Sequence, residues 1–303
     1  MEVIDEAAFA DLVGRHEREL HVHCYRMLGS FDEAEDLLQD VLLRAWHGWS
    51  SFEGRSSARV WLYRIATNAC LDRLRHRARQ PEVDELSDVP WLQPYPDDPG
   101  ETAVGRETME LVFLAALQLL PPRQRAVLIL RDVLGWPARE TASLLTTTAT
   151  AVHSSLQRAR ATLREHLPDR SEWVRPAALD GKDRLMLDRY LAAHERGDTE
   201  AVLALLHEDL VVWMPPDPRV WRSRADYAAY AFGGEPPGRW RLRFTGANGQ
   251  PAMAFYLRRP GDTAFRATAL QVLRVEGGLI TEITAFQQPR LFAAFGLPPE
   301  TPA

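Results

Sequence analysis

The sequence predicts a multidomain protein: two all-α regions followed by an α+β domain. Three observations carry that reading. Through residue 80, apolar positions recur at helical spacing with no alternating stretch. Between about 137 and 166, two short helical segments flank a polar turn. Beyond about 181, helical periodicity gives way to the alternating segments LVVWM, WRLRFTGA, PAMAFYLRR, FRATALQVLRV and GLITEITAF. At 303 residues the chain is long enough for two or three domains, each with its own core.

Residues from about 4 to 28 set Phe9, Leu12, Val13, Leu20, Tyr25, Met27 and Leu28 at helical spacing, and Gly29 ends the run. Asp32 reads as the N-cap of the next helix, with Glu35 as its capping-box partner, and that helix runs to about Trp49. Leu37, Leu38, Val41, Leu42 and Trp46 supply its buried face. Its early acids, Asp32, Glu33, Glu35, Asp36 and Asp40, have an ordinary dipole explanation. A docking surface for a basic partner is the sharper one. The loop WSSFEGRSSA comes next, either a turn or a pocket for an extruded base.

The helix from Arg59 to Arg79 carries six arginines among aromatics. At about 100° per residue, Trp61, Arg64, Asn68, Leu71 and Arg75 share a stripe, while Val60, Ile65, Ala66, Ala69 and Leu74 turn to a core. The stripe suits nucleic acid: arginines hold phosphates, an aromatic stacks on an unpaired base, and an Asn amide meets a base edge. A solvated basic helix is the plain alternative.

Charge is segregated within a net −6. Eight arginines face only Glu53 and Asp72 between Val41 and Gln80, a balance of +6, whereas Pro81 to Glu110 carries −8. A basic surface beside an acidic linker results, and the linker can fold back to screen it. Cys24 and Cys70 have no C-x-x-C spacing, which favours a reduced, cytoplasmic protein over a disulfide scaffold. His21, His23 and Cys24 lack a second ligand pair at zinc spacing, so no metal is expected. The acidic N-terminus is not a signal peptide, and LVFLAALQLL at 111 to 120 is too short to span a bilayer, so no membrane association is expected.

Residues 81 to 101, rich in proline and acid, read as an extended linker whose apolar island, Trp91, Leu92 and Tyr95, needs somewhere to dock. A helix over 102 to 120 stops at Pro121 and Pro122. Segments at about 123 to 134, Ala138 to Leu145 and Ala149 to His166 succeed it, and the last two have helix-turn-helix spacing over about 137 to 156. Thr148 is the expected N-cap of the second. Thr150, His153, Ser154 and Gln157 then lie on its exposed side, with Arg158 and Arg160 towards phosphate.

The strings DEAEDLLQDVLLRAW, FEGRS and VWLYRIATNACLDRLR resemble region two of the extracytoplasmic-function sigma factors. LPPRQRAVLILRDVLGWPARETASLL and TTTATAVHSSLQRARATLRE resemble region four of the same family. The resemblance implies sigma region two over 1 to 80 and region four over 102 to 168. It also implies core RNA polymerase, through its beta-prime clamp and beta subunit, and promoter DNA as partners. The polymerase dock would include Asp36, Leu37, Gln39, Asp40 and Leu43. Phe52, Arg55, Ser56, Trp61, Arg64, Asn68 and Arg75 would meet the minus-ten element. Thr150, His153, Ser154, Gln157, Arg158 and Arg160 would meet the minus-thirty-five element. One departure concerns Thr146, which stands where the family's turn commonly has glycine. A left-handed backbone is costly for Thr, so the turn is expected to differ locally. A receiver-type regulator would need strands in residues 1 to 80, and none is read there.

After a linker at 169 to 180, LDRYLAAHERGDTEAVLALLHEDLVVWMPP and the sheet beyond it resemble the SnoaL-like members of the NTF2-like superfamily, over about 181 to 290, with 291 to 303 as a tail. The resemblance implies an α+β cone with an apolar mouth. In sigma factors fused to such a domain, the domain modulates the sigma function. Candidates to line the cone are Tyr190, His194, Trp213, Trp221, Tyr227, Tyr256 and Gln271, and a small-molecule ligand is one candidate partner. Catalysis would need a buried acid or His aimed inward. His194, Asp226 and Glu282 form no recognisable cluster, so no enzyme activity, catalytic residue or cofactor is expected. The opposing reading is an NTF2-like enzyme or ligand sensor with an appended DNA-binding module.

Overall fold

The computed structural model describes residues 6–54, 56–77, 89, 91–97, 109–167, 181–234 and 237–302. The chain divides into two compact units, Met1–Leu86 with Val112–Trp173, and Ser87–Leu111 with Val174–Ala303.

The first unit opens with α1 (Glu6–Leu28), α2 (Phe31–Trp49) and α3 (Ala58–Arg77). Leu20, Tyr25 and Leu28 of α1, Leu38 and Val41 of α2, and Leu62, Tyr63 and Ala66 of α3 form its buried interior. Gly29 closes α1 at φ +75, and a Cβ there would lie 3.0 Å from the Gln118 Cδ, so both the backbone and the close approach require glycine. The cap of α2 is Ser30, not Asp32. Ser30 has an extended backbone, and its Oγ accepts from the Glu33 N–H at 3.2 Å. The left-handed Gly29 starts the helix two residues earlier than expected, with Glu33 at the capping-box position.

Between α1 and α3, Arg59 donates to both Glu19 oxygens at 2.8 to 3.0 Å. Burial pushes the Glu19 carboxyl up, but the Arg59 and His16 bonds outweigh it and leave it lowered. His23 is fully buried, with Nε2 set 2.9 Å from the Thr67 hydroxyl. Burial, reinforced by nearby Arg26, depresses its pKa to about 3.

α4 (Leu111–Gln118) begins later than expected, because Met109 and Glu110 are not helical; residues 101–108 lie outside the described set. α5 (Pro122–Leu128) passes into a π-helical turn, Ile129–Val133, rather than one α-helix to 134. The widened turn is closed by Leu134 N–H to the Ile129 carbonyl and Trp136 N–H to the Leu130 carbonyl, both at 2.9 Å, and Trp136 is buried beside it. α6 (Ala138–Leu144) and α7 (Ala149–His166) form the helix-turn-helix. Thr146 does take the left-handed conformation, at φ +52. Its N–H reaches the Ser143 carbonyl and the Thr147 N–H reaches the Ala142 carbonyl at 2.9 Å, a Schellman closure that offsets the cost of a β-branched residue there. Thr148 caps α7, its Oγ1 accepting from the Ala151 N–H at 3.1 Å.

The two helical regions pack as one body within this unit. Arg125, only 3% exposed, donates to the Met27 carbonyl at the end of α1, to Gln118 Oε1 and, at 2.8 and 3.1 Å, to the carbonyls of Gln118 and Leu120. Tyr63 of α3 meets Trp136 with ring centroids 5.1 Å apart.

In the second unit, α8 (Gly181–Arg196) and α9 (Thr199–Ala204) precede β1 (Leu206–Met214), β2 (Asp217–Trp221), α10 (Arg224–Phe232), β3 (Arg239–Ala247), β4 (Gln250–Arg258), β5 (Ala264–Glu276), β6 (Leu279–Phe286) and β7 (Glu300–Pro302). The sheet order is β2-β1-β6-β5-β4-β3, with β7 on β5; β1 and β6 run parallel and the other pairs antiparallel. Met186, Leu187 and Tyr190 of α8 pack on Val212, Leu242, Phe255, Leu273 and Ile283 of the sheet. Arg241 and Arg243 turn to the other face, over Phe265 and Tyr256. Residues 291 to 302 are not a separate tail. A 3-10 turn at Pro289–Ala293 leads to β7, where Thr301 pairs with Phe265.

A buried neutral histidine makes stability fall with acid. Above the ordinary His pKa of 6.5, both folded and unfolded forms are neutral; below it only the unfolded chain takes the proton, down to the folded value of about 3. Urea unfolding of the first unit is expected to lose about 1.4 kcal/mol per pH unit from His23 between pH 6 and pH 4. His23→Gln removes that share of the slope; an unchanged slope contradicts the assignment.

Candidate nucleic-acid interface and docking surfaces

On α2, Asp36, Gln39, Asp40 and Leu43 are exposed at i, i+3, i+4 and i+7, which makes one stripe. Leu43 is 58% exposed, an unusual setting for a large apolar side chain, with Asp40 one turn before it. Leu37 does not join them. It is 2% exposed, at the floor of a cleft between α2 and α3 that Asp40, Arg44 and Asp72 also border.

On α3, Arg64, Asn68 and Arg75 are exposed along one stripe, and Arg75 pairs with Asp72. Trp61 and Leu71 are buried, contrary to expectation. The reason is aromatic packing: Trp49 stacks on Phe52 at 5.6 Å, Phe52 meets Trp61 at 5.0 Å, and Gly48 lets the Trp61 indole approach α2. Phe52 and Ser56 remain half-exposed, and Arg55 lies outside the described residues.

On α7, Val152, Leu156, Ala159 and Leu163 face inward, while Thr150, His153, Ser154, Gln157, Arg158 and Arg160 are exposed. Arg160 differs from the rest. It forms a two-armed ion pair with Asp132 at 2.7 and 2.8 Å, so its guanidinium is committed within the protein.

In the second unit, a cavity of about 930 Å³ opens between α8, α10 and the sheet, bordered by His194, Tyr227 and Gln271 among the expected residues. Tyr190 lies beneath it and donates to Gln271 Oε1 at 3.2 Å. The other expected lining residues are elsewhere. Trp213 donates from Nε1 to Glu282 at 2.9 Å, Trp221 packs on Tyr230 at 4.5 Å, and Tyr256 bonds the Pro298 carbonyl on the sheet's opposite face. Strand alternation separates two faces without saying which is concave. Asp226 is exposed at the start of α10, and Glu282 is held by Trp213 and Arg274, so neither acid is aimed at the cavity. Phe232, Trp240 and Phe255 supply its aromatic walls.

The apolar island of the linker belongs to this unit. Val89, Leu92 and Gln93 are buried, and Gln93 donates to Gln288 at 2.8 Å. Asn248 and Gly249, the turn of the β3–β4 hairpin, clasp the chain at the end of the island and beyond it. The Asn248 Oδ1 accepts from the Tyr95 N–H at 2.8 Å, its backbone N–H donates to the Tyr95 carbonyl, and its Nδ2 donates to the Met109 carbonyl at 2.7 Å. Asp97 accepts from the Gly249 N–H at 2.6 Å. An Asn-Gly pair between two strands is a hairpin signal, but nothing local in sequence shows that it also holds Tyr95 and Met109.

A three-helix module with an acid-lined apolar stripe, a helix-turn-helix with a polar outer face and a cone domain together define a DNA-binding transcription protein with an accessory domain. Residues 12–80 match the Sigma-70 region 2 family, 110–163 the Sigma-70, region 4 family, and 187–283 the SnoaL-like domain family. The chain is 40% identical over 307 residues to the ECF RNA polymerase sigma factor SigG of Mycobacterium tuberculosis strain H37Rv, covering 93% of this chain and 82% of that protein. It is 31% identical to the ECF RNA polymerase sigma factor SigW of Bacillus subtilis strain 168, over 54% of this chain and 91% of that one. The crystal structure of Mycobacterium tuberculosis SigJ shares the fold, with a TM-score of 0.61 at 20% identity over 96% of this chain and 99% of that one. The chain belongs to the extracytoplasmic-function RNA polymerase sigma factors, the subunits that direct transcription initiation to promoters. Among the described residues no helix is long and apolar enough to cross a membrane.

The burial of Trp61 gives a direct check. Trp61→Ala is expected to cost the first unit about 3 kcal/mol or more in urea unfolding. Asn68→Ala, on the exposed stripe of the same helix, should stay within about 0.5 kcal/mol. Equal effects would contradict the packing.

Proposed function

We propose that the chain binds core RNA polymerase through the α2 stripe of Asp36, Gln39, Asp40 and Leu43, with Leu37 shaping that helix from within. The observation that carries this is Leu43, an exposed leucine at the end of a stripe that also carries Asp36 and Asp40, which suits a basic partner with an apolar seat. Promoter melting and minus-ten reading fall to Phe52, Ser56, Arg64, Asn68 and Arg75, and on the family resemblance to Arg55. Trp61 supports Phe52 from below. The minus-thirty-five element is met by Thr150, His153, Ser154, Gln157 and Arg158, while Arg160 braces α7 through Asp132. The protein works where its polymerase works, in the cytoplasm, as a binding subunit without chemistry of its own.

Regulation by the C-terminal unit goes through the linker. The two sigma regions are joined by residues 81 to 110, and Asn248 grips that segment at Tyr95 and Met109. Held there, the linker restrains how far the regions can part; released, it lets them reach separate promoter elements. Local opening of this kind involves few bonds and is therefore within reach of a binding partner.

Two experiments test these assignments. Asp36→Arg combined with Asp40→Arg builds like-charge repulsion into the dock and should abolish pull-down of core polymerase without changing the unfolding midpoint. Undiminished pull-down contradicts the dock. Asn248→Gly keeps the left-handed turn at φ +58 but deletes both side-chain bonds to the linker. At about 1 kcal/mol per bond, proteolysis within residues 81 to 110 should accelerate roughly tenfold or more, and run-off transcription should change with it. Wild-type cleavage and output contradict the regulatory reading.

A further inference from the structure

The promoter reading leaves the cavity of the C-terminal unit without a role. Its volume of about 930 Å³ lies in the range of small-molecule sites, roughly 300–1,000 Å³. Phe232, Trp240 and Phe255 wall it, with Met214, Ala269 and Ala285 between them. Aromatic walls favour a ring compound.

Two polar groups are set into this apolar surface. His194 is 8% exposed, and its Nδ1 lies 3.0 Å from the Tyr190 carbonyl. Only an N–H can face a carbonyl, so Nδ1 carries the proton and Nε2 is left as a lone-pair acceptor. Burial lowers the pKa of His194 to about 4, the Tyr190 bond opposing it only in part, and the ring is neutral near pH 7. Tyr227 is the second group. Tyr190 O–H donates to Gln271 Oε1, which turns the Gln271 amide N–H towards the Tyr227 oxygen. The Tyr227 proton is then available to a ligand, and burial raises its pKa to about 12, so it stays a donor.

His194 and Tyr227 therefore offer one acceptor and one donor within the apolar part of the cavity, both uncharged. The formal charges that border it lie at its rim and not beside the two buried groups: Glu195 accepts from the Leu242 N–H at 3.0 Å, Arg196 pairs with Asp198 at 3.8 Å, and Arg239 is exposed to solvent. An anion would leave water for a surface that gives it no buried cation, which is strongly unfavourable. We propose that this cavity binds an uncharged, largely apolar ring compound carrying one hydroxyl, which donates to His194 Nε2 and accepts from Tyr227. Apolar area supplies most of the affinity, and the two bonds fix orientation and class.

Three naphthalene probes on the full-length chain test this near neutral pH by titration calorimetry. 2-Naphthol should bind at one site per chain. 2-Naphthoate, the anion on the same ring, should bind at least tenfold more weakly, and naphthalene several-fold more weakly than the naphthol. Tyr227→Phe should weaken 2-naphthol roughly five- to tenfold and leave naphthalene unchanged. Ala269→Phe, which fills the cavity, should abolish binding of all three while the thermal transition persists. Failure of 2-naphthol to bind overturns the proposal, as does equal binding of 2-naphthoate or wild-type affinity in both variants. Occupancy is read without polymerase or promoter, so its failure is distinct from failure of the promoter reading.

Discussion

Arg125 stands where the two helical regions of the first unit meet, and its guanidinium is satisfied almost wholly by neutral oxygens: the carbonyls of Met27, Gln118 and Leu120 and the Gln118 side chain. Burial, with Arg77 nearby, pulls its pKa down to about 9. It is still charged at neutral pH, hydrogen-bonded but without a carboxylate among those partners. Such a joint is specific, because the fork of donors matches only this arrangement of carbonyls. It is also breakable, because parting the regions returns a cation to water and recovers much of its hydration. Gly29, Gln118 and the Pro121–Pro122 stop serve the same joint by bringing the end of α1 against the start of α5.

The surfaces assigned to partners lie on the outside of this body. The α2 stripe and the exposed face of α3 are built on helices whose inner faces are filled with leucine, tyrosine and tryptophan. α7 presents its polar face because Val152, Leu156 and Leu163 hold the other face inside. The segment that joins the two regions is itself a partner of the β3–β4 hairpin through Asn248. Recognition, joint and linker therefore rest on different interactions: exposed side chains, one buried cation and a turn that grips backbone. Each can be altered without dismantling the others.

Much of this was legible in the sequence. The helix break at Gly29, the cap at Thr148 and the strand segments of the cone come from local chemistry, and the structure has them. The misses have a common cause in non-local packing. Helical periodicity groups Trp61 with Arg64 and Asn68, but Trp49 and Phe52 cover it from other elements. Ser30 and Asp32 are both able to cap, and the left-handed Gly29 decides between them. Thr146 enters a conformation unfavourable for Thr because two backbone bonds close the turn around it. Trp213, Trp221 and Tyr256 have the right chemistry for a cavity but stand on the wrong face or edge of the sheet. Tyr95 and Asn248 meet across more than 150 positions, a separation that no window on the sequence spans.

The central claim is that the two sigma regions form one closed body in the free protein and part when polymerase binds. Spin labels at Glu17→Cys on α1, exposed and outside the proposed dock, and Gln157→Cys on α7 test it most directly by electron-spin distance measurement, since Cys24 and Cys70 are buried and do not compete for label. The free protein should give one short distance distribution, replaced by a longer, non-overlapping one when core polymerase is added. A distribution already long in the free protein, or unchanged by polymerase, would contradict the account.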